Sequence, residues 1–451
     1  MMMGRQNSQM EIAIVDLCEM IPSTHQLKRI KEAVDFDFIY DIAEPLYSPN
    51  GRPSIDPVLL IKMLLIGYLY GIKSERRLEE DVKLNLAYRW FCGLGIGGRV
   101  PDHSTFSQNR RRRFRDSNLF EDIFLKIVEL CIEKGFIDGE LIACDETYIP
   151  SNISKESIEK TRVEIRRGMQ SYLDALDEEL AKEPEYKDQE GKIEVIEQGR
   201  SKTDPDAAFI CHGEKTGLGY LMETSVDCRH GLITAVDVFP ANQKESSIVL
   251  RHLEKQKRSN IPIKRVALDK GYDVGAVHRG LELLGIEGYV ASVDFNNTAD
   301  KKGMMYDPSR DCFICPQNKA LPYHHLICQK STGKYLRCYQ ADIEECDNCS
   351  VRKTCLGKLV RRRRVIASGF YPSFYRGRER YKDPASRLLM KLRGIWAEGS
   401  FAMMKREHKL DKIRKHGLKQ AKEECLLSCI AANLKRMVKA LSVQNEAFLY
   451  A

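Results

Sequence analysis

The segment 262-PIKRVALDKGYD-273 is the place from which the rest of this chain is best read. Ile263, Val266, Ala267 and Leu268 make a short apolar, partly β-branched run that stops at Asp269, and Lys270-Gly271-Tyr272-Asp273 turns the chain. Val274, Val277, Leu281 and Leu284 then recur at helical spacing, closed by Gly285 at the C-cap position. Strand, acid, turn and helix in that order put a carboxylate at the carboxyl end of a buried strand, the usual place for a site in an open α/β sheet. The plainer alternative is that Asp269 only caps the helix. The same pattern occurs earlier, where the apolar run Leu141-Ile142-Ala143-Cys144 ends in Asp145-Glu146-Thr147.

Around these two strands lies a chain long enough for two or three domains. Its 72 Lys+Arg against 64 Asp+Glu leave a net charge of +8, so where the charge clusters matters more than its sum. Met1 to Ile21 lacks the apolar core of a signal peptide, and Val58 to Ile72, interrupted by Lys62, is too short to span a bilayer. We therefore expect a cytoplasmic, non-membrane protein with reduced cysteines. No Walker loop, dinucleotide fingerprint or HExxH motif is present.

Taken in order, the first fifty residues read as an irregular lead-in, and Asp56-Pro57 opens a helix as N-cap and N1. A second helix begins near Ser74, with Leu78, Val82, Leu86 and Trp90 at i+4 spacing, and Gly93 to Gly98 breaks it. A third follows Pro101-Asp102 and carries Arg110, Arg111, Arg112 and Arg113. Short helices with a basic last member suit docking on DNA, where arginines neutralise phosphates; the alternative is a solvated basic face. The segment 151–200, dense in Glu, Lys and Arg, reads as an exposed helix or helical hairpin inserted into the next domain. Gly217 to Val226 and Leu232 to Val238 alternate about a five-residue turn and form a β-hairpin. A helix to about Lys257 then leads to the Asp269 strand, and Glu287 to Ser292 supplies a further short one.

Seven of the 15 cysteines fall between Cys312 and Cys355. Cys312-x2-Cys315 and Cys346-x2-Cys349 have zinc-knuckle spacing, and Cys355 lies within reach of the second pair. A structural Zn²⁺ on Cys315, Cys346, Cys349 and Cys355 is one set, with the fourth ligand ambiguous; inert thiols in a compact segment are the other reading. Arg361, Arg362, Arg363 and Arg364 follow directly and either hold phosphates or solubilise a linker. After Pro384 an apolar helical stripe leads to Glu398, with Lys405 two turns on. Arg414 and Lys415 lie in the basic stretch beyond, and a final apolar helix spans Leu426 to Val438.

Asp145, Asp269 and Glu398 stand 124 and 129 positions apart (145 to 269, 269 to 398), so only a fold can gather them. A mixed sheet with helices on its faces does this if two acids sit at neighbouring strand ends and the third on a helix packed over them. Oxygen ligands of this kind favour Mg²⁺ or Mn²⁺, and a two-ion site of that type activates a hydroxyl against a phosphodiester.

At these residues the sequence resembles the DDE transposases of bacterial insertion sequences. The N-terminal block (Pro57 to Leu65, Tyr88-Arg89-Trp90-Phe91, Pro101-Asp102-His103-Ser104-Thr105) is similar to the helical N-terminal domain of those enzymes. Ile142 to Thr147 and Leu268 to Tyr272 resemble their aspartate strands, and Glu398 with Lys405 their glutamate signature. Two positions depart: the family has an arginine four places before the glutamate, where this chain has Gly394 beside Arg393, and a small residue after the first aspartate, where this chain has Glu146. The resemblance implies an α/β fold: a ribonuclease H-like mixed sheet with flanking helices, preceded by an all-helical N-terminal domain and carrying a Cys-rich insert. The corresponding division is a DNA-binding domain over 1–118, a first catalytic part over 119–300, the Cys-rich insert over 301–365 and a last catalytic part over 366–451. It further implies Asp145, Asp269 and Glu398 as metal ligands and Lys405 as a phosphate grip. The implied reaction is cleavage of double-stranded DNA at the element's ends and 3′-hydroxyl strand transfer by a homodimer synapsed on DNA. A nuclease without strand transfer, or a DNA-binding regulator, are the competing expectations.

Overall fold

The computed structural model describes residues 14, 16–48, 50, 54–167, 173–184, 186, 192–212, 215–243, 245–292, 303–329 and 334–449. They divide into two compact units, one of residues up to Ile123 with Glu407–Lys409 and the chain from Leu434, the other of Phe124–Arg406 with Leu410–Asn433.

The first unit is helical. Its centre is Pro57–Leu69, started by Asp56, whose carboxylate accepts from the Val58 and Leu59 amides. Ten of its thirteen residues are buried, so this helix is apolar on every side and the shorter ones wrap it. Lys62 fits the apolar run because its ammonium lies over the rings of Phe36 (5.0 Å) and Phe91 (5.7 Å). Two expectations are corrected here. Residues before position 50 are not an irregular lead-in, since Gln26–Ala33 and Phe38–Ala43 are helices that bury Leu27, Ile30 and Ile39. The i+4 stripe from Leu78 to Trp90 is two helices, because the Asn85 side chain accepts from the Ala87 and Tyr88 amides and starts Leu86–Phe91 afresh. Arg89, 5% exposed, then clamps the glycine turn by donating to the Gly95 carbonyl at 2.5 Å and the Gly98 carbonyl at 2.6 Å.

The second unit is built on a six-stranded mixed sheet. Its strands are β1 (Ile142–Pro150), β4 (Ala208–His212), β5 (Lys215–Asp227), β6 (Ile233–Pro240), β7 (Arg265–Leu268) and β8 (Glu287–Val290), with β2 and β3 lying between β1 and β4 in the chain. The order is β4-β5-β1-β7-β8, and β6 also pairs with β5. The β5–β6 hairpin stands as expected, with β1 antiparallel to β5, β7 parallel to β1 and β8 parallel to β7. On one face Cys144, Val266 and Leu268 pack against Val249, Leu253, Val277 and Leu281 of the crossover helices. On the other, Ala143 and Ala267 pack against Leu389, Trp396 and Ala397. The 151–200 segment is not a helical hairpin. β2 (Ile158–Arg167) and β3 (Lys192–Ser201) pair antiparallel over their whole length, with one helix, Asp174–Leu180, among the described residues between them. Thr161-Val163-Ile165 at period two is the signal that the surrounding charge hides. The final helix is longer than its apolar stretch, Leu418–Leu449.

Residues 303–368 add a five-stranded antiparallel sheet: β9 (Met305–Asp307), β10 (Cys312–Ile314), β11 (Ala320–Gln329), β12 (Lys334–Gln340) and β13 (Arg364–Ser368). Phe313, Leu321 and Tyr339 form its core with Tyr371 of the helix that follows.

Glu282 ties the helix Gly275–Leu283 to the helix Tyr371–Tyr381, accepting from Ser373 Oγ (2.7 Å) and from Arg376 Nε (2.9 Å) and Nη2 (2.7 Å). Burial pushes its carboxyl up, but the donors of Arg376, Ser373 and Arg279 outweigh it and hold the pKa down at about 2. A depressed carboxyl contributes stability above its unfolded pKa and loses it as pH falls through the folded one. Glu282→Gln is therefore expected to cost about 2 kcal/mol in urea unfolding at neutral pH, and the gap between variant and parent should close as the pH is lowered from about 4.5 toward 2. A gap that stays constant across that window defeats the assignment.

Candidate active site

Alternation along β1 assigns its acids to opposite faces. Ala143 packs toward Trp396 and Ala397, Cys144 toward the crossover helices, so Asp145 shares the Ala143 face and Glu146 the Cys144 face. Asp145 does not end the strand, as the sequence suggested, since β1 continues to Pro150 against β5. It stands where the pairing with β7, Ile142 with Val266 and Ala143 with Ala267, runs out. Asp269 follows β7 directly, two residues beyond Ala267 and on its face. Asp269 does not cap the helix Gly275–Leu283, whose N-cap is Val274; its Oδ1 caps the short turn Lys270–Tyr272 by accepting from the Gly271 amide at 2.7 Å, and its Oδ2 lies 3.4 Å from Arg393 Nη2.

The third acid arrives on a helix that changes pitch. Ala385–Arg393 is α-helical, Gly394–Glu398 is a π turn, and Gly399–Arg406 is α-helical again. A π turn holds one more residue than an α turn, so a side chain five places before Glu398 faces where one four places before would ordinarily lie. The one-residue offset of Arg393 is thus absorbed by the backbone. Trp396 anchors the turn, packed so closely on Gly231 that a Cβ there would meet its ring at 2.2 Å.

The arrangement converges on Arg393. Its Nη2 lies 3.4 Å from Asp145 Oδ1 and 3.4 Å from Asp269 Oδ2, and its Nη1 lies 2.9 Å from Glu398 Oε1. Two oxygens that share one nitrogen as neighbour are no farther apart than twice that distance. The guanidinium is 7% exposed, against 15% for Asp145, 40% for Asp269 and 65% for Glu398, so the cluster opens to solvent on the glutamate side. Burial pushes the Asp145 carboxyl up to about 6, with Asp269 and Glu398 adding to the push and Arg393 and the Glu146 amide opposing it. Lys405 reaches back to the same face of β1, its Nζ 2.6 Å from Thr147 Oγ1. Three carboxylates around one cation offer the oxygen donors that a hard divalent ion takes, although with Arg393 between them no arrangement of one oxygen from each lies wholly within 4.8 Å. In the sequence Arg393 stood only as a departure from the family signature, one residue farther from Glu398 than the signature places its arginine.

The other expected residues are distributed as follows. Arg110 is bound inward to Glu75 at 2.6 Å and Arg113 lies over the Tyr47 ring at 4.5 Å, which leaves Arg111 and Arg112 as the exposed members of that block. Arg361 and Arg364 are exposed, Arg362 is half-buried, and Arg363 lines a cavity of about 450 Å³. The backbone of Arg414 donates to Glu424, and Lys415 pairs with Glu423 at 2.9 Å. Cys315, Cys346, Cys349 and Cys355 line that same cavity; Cys312, Cys328 and Cys338 do not. Among the described residues no three of the four sulfurs lie within 4.8 Å of one another, whereas a tetrahedral zinc holds sulfurs closer than that. The cysteines are gathered without being closed.

Two further clusters resemble sites. Glu79, Asp102 and His103 bring ligand atoms within 4.8 Å, but Glu79 already accepts from Lys83 and from the His103 amide (2.8 Å) and ring (2.9 Å), fixing the entry to Ser104–Arg112. Ser225 Oγ lies 3.0 Å from His252 Nε2, whose Nδ1 is 2.6 Å from Asp237. Ser225 has no exposed surface, and its Oγ also meets Gln256 Nε2 (2.7 Å) and Cys144 Sγ (3.1 Å), so this is a core network.

Residues 15–112 match the family model described as a transposase domain (DUF772), and residues 314–438 match a transposase DDE domain. The second match spans Arg393, Glu398 and Lys405 and begins after both aspartates. No curated protein sequence matches the chain. Among solved structures the chain is similar to the piggyBac transposase synaptic complex with hairpin DNA, at 8% identity and a TM-score of 0.40 over 94% of this chain and 76% of that one. It is also similar to the Mos1 mariner paired end complex with Mn, at 10% identity and a TM-score of 0.17 over 54% of this chain and 61% of that one. Likenesses this faint carry no weight beside the two family models. These two models, one a transposase domain and the other a transposase DDE domain, identify the chain as a DNA transposase.

Proposed function

We propose that this transposase cuts DNA strands at the ends of an insertion sequence and joins the freed 3′-hydroxyl to target DNA. Asp145, Asp269 and Glu398 hold Mg²⁺ or Mn²⁺, and Lys405 grips a phosphate of the bound strand. The observation that supports this above the rest is the meeting of three acids, far apart in sequence, on one guanidinium at 2.9 to 3.4 Å. The strand order and directions of the sheet, a meander of β1, β5 and β6 followed by β7 and β8 parallel to β1, support the reading of a ribonuclease H-like core. When bound, divalent ions supply the Lewis acidity that activates an attacking hydroxyl and steadies a leaving oxygen. The chain's own part is to fix the ligands: the Gly271 amide orients Asp269, the packing of Trp396 sets the pitch that aims Glu398, and Thr147 steers Lys405. Arg111 and Arg112 in the helical unit, with Arg361 and Arg364, are exposed cations suited to backbone phosphates. Pairing of two element ends calls for two copies of the chain on DNA. The 303–368 sheet is an insertion ahead of the glutamate helix, with a structural zinc on Cys315, Cys346, Cys349 and Cys355. No described helix is long and apolar enough to cross a membrane.

Asp269→Asn should lower cleavage of a duplex bearing the element's own ends by roughly a thousandfold or more, while duplex binding changes by less than about twofold. Cleavage at the parent rate would end the three-acid reading. Pre-cut ends with a free 3′-hydroxyl, offered a second duplex, should be joined to it in Mg²⁺; hydrolysis without joining would leave a nuclease. Elemental analysis of purified protein should find about one zinc per chain, reduced by Cys346→Ser. Zinc-free protein with freely titrating thiols removes that ion from the account.

A further inference from the structure

Arg393 is an unusual occupant for the centre of an acid cluster. It is 5% exposed, yet its buried Nε makes no hydrogen bond, and two of its three carboxylate neighbours stand at 3.4 Å. Charge-assisted N–H···O⁻ bonds are ordinarily about 2.7–2.9 Å. Only Glu398 is held at that distance. The aspartates also have supports independent of Arg393: Asp269 Oδ1 accepts from the Gly271 amide at 2.7 Å, and Asp145 Oδ1 from the Glu146 amide at 3.0 Å. The guanidinium thus neutralises three acids, two of which also have a backbone amide of their own, in a geometry that fits one of them well and two loosely.

We propose that Arg393 is the resident counter-ion of the metal-free site, a positioning residue that holds the three acids together and is displaced from them when divalent ions load. Its side chain leaves a set of oxygens that a small dication fits better than a planar fork does, since a hard ion draws its oxygen ligands to roughly 2.0–2.2 Å. Arginine and divalent ion are competitors for one set of ligands. Three carboxylates close together repel one another, and without a cation the cluster would open or take up a proton. With Arg393 present the site stays assembled while empty, at the expense of weaker metal binding. The π turn is what allows this, since it alone brings the residue five places before Glu398 onto the glutamate's face.

This inference rests on the reading that the three acids bind divalent ions, and the test separates the two. Mn²⁺ binding to the full chain, without DNA, is followed by electron paramagnetic resonance at mildly alkaline pH, beside thermal unfolding with and without the ion. For Arg393→Gln we expect Mn²⁺ to bind about tenfold more tightly or better, the metal-free melting temperature to fall, and added Mn²⁺ to restore it. Arg393→Lys, which keeps the charge but reaches fewer oxygens, should lie between. If Asp269→Asn binds Mn²⁺ as the parent does, the three-acid reading itself is wrong. If Asp269→Asn weakens binding but Arg393→Gln leaves it unchanged or weaker, only the counter-ion role is overturned. Arginine variants that unfold and are not rescued by Mn²⁺ likewise overturn it, because the role requires that a dication can take the arginine's place.

Discussion

The second unit turns on the compensation of negative charge at one point. Asp145 lies on the face of a sheet where Ala143, Ala267 and Ala397 leave little room for water, and an isolated carboxylate there would pay heavily for its charge. Asp269 and Glu398 make the problem worse by repulsion. A cation at the centre resolves it, and in this molecule that cation is a side chain. The requirement reaches outward. Arg393 must arrive from the same helix as Glu398, that helix must lie over the sheet face that carries both aspartates, and its pitch must change between the two. Trp396, inside the turn where the pitch changes, is wedged against Gly231, which has a φ of +75°. Gly231 has no Cβ because there is no room for one.

The sheet supplies the rest of the geometry. β1 is antiparallel to β5 and parallel to β7, so it is the strand at which the sheet changes character. β7 is only four residues long and its ladder with β1 ends at the Ala143–Ala267 pair, which leaves Asp145 and Asp269 as the next residues on that face beyond it. A longer β7 would bury Asp269 in the sheet; a shorter one would remove it from Asp145. Glu146, the neighbour that complicates the sequence, is turned by the pleat to the opposite face, where Glu146 and Glu223 are direct cross-strand partners.

Much of this was legible in the sequence because the signals were local. Asp56-Pro57, the apolar run before Asp269 and the alternating β5–β6 hairpin each carry their own evidence within a few residues. What was not legible depended on context. The strands β2 and β3 were hidden because charge on an exposed ribbon looks like charge on an exposed helix, and only the period-two placement of Thr161, Val163 and Ile165 distinguishes them. Asn85 broke a helix that its apolar stripe said should continue, since a polar side chain that satisfies two amides competes with one more turn. Arg393 was visible in the sequence only as a departure from the signature, for a subtler reason. Spacing arguments presume a fixed number of residues per turn, and a π turn changes that number where function needs it.

Geometry by itself does not identify a site, and this protein offers an internal comparison. Ser225, His252 and Asp237 have the hydrogen-bond order of a nucleophile, a base and an orienting acid, with distances as good as those at Arg393. What they lack is spare capacity: the serine is fully buried, and every partner it touches belongs to the core. At Glu79 both oxygens are likewise spent, on Lys83 and His103. The acid cluster differs on both counts. Glu398 is 65% exposed, and two of the contacts to Arg393 are too long to count as saturated. A group that is open to solvent and held by an imperfect partner can exchange that partner for another, whereas a group satisfied in the interior can only lose. On that criterion the three acids are the candidate binding site and the two neater constellations are structural supports.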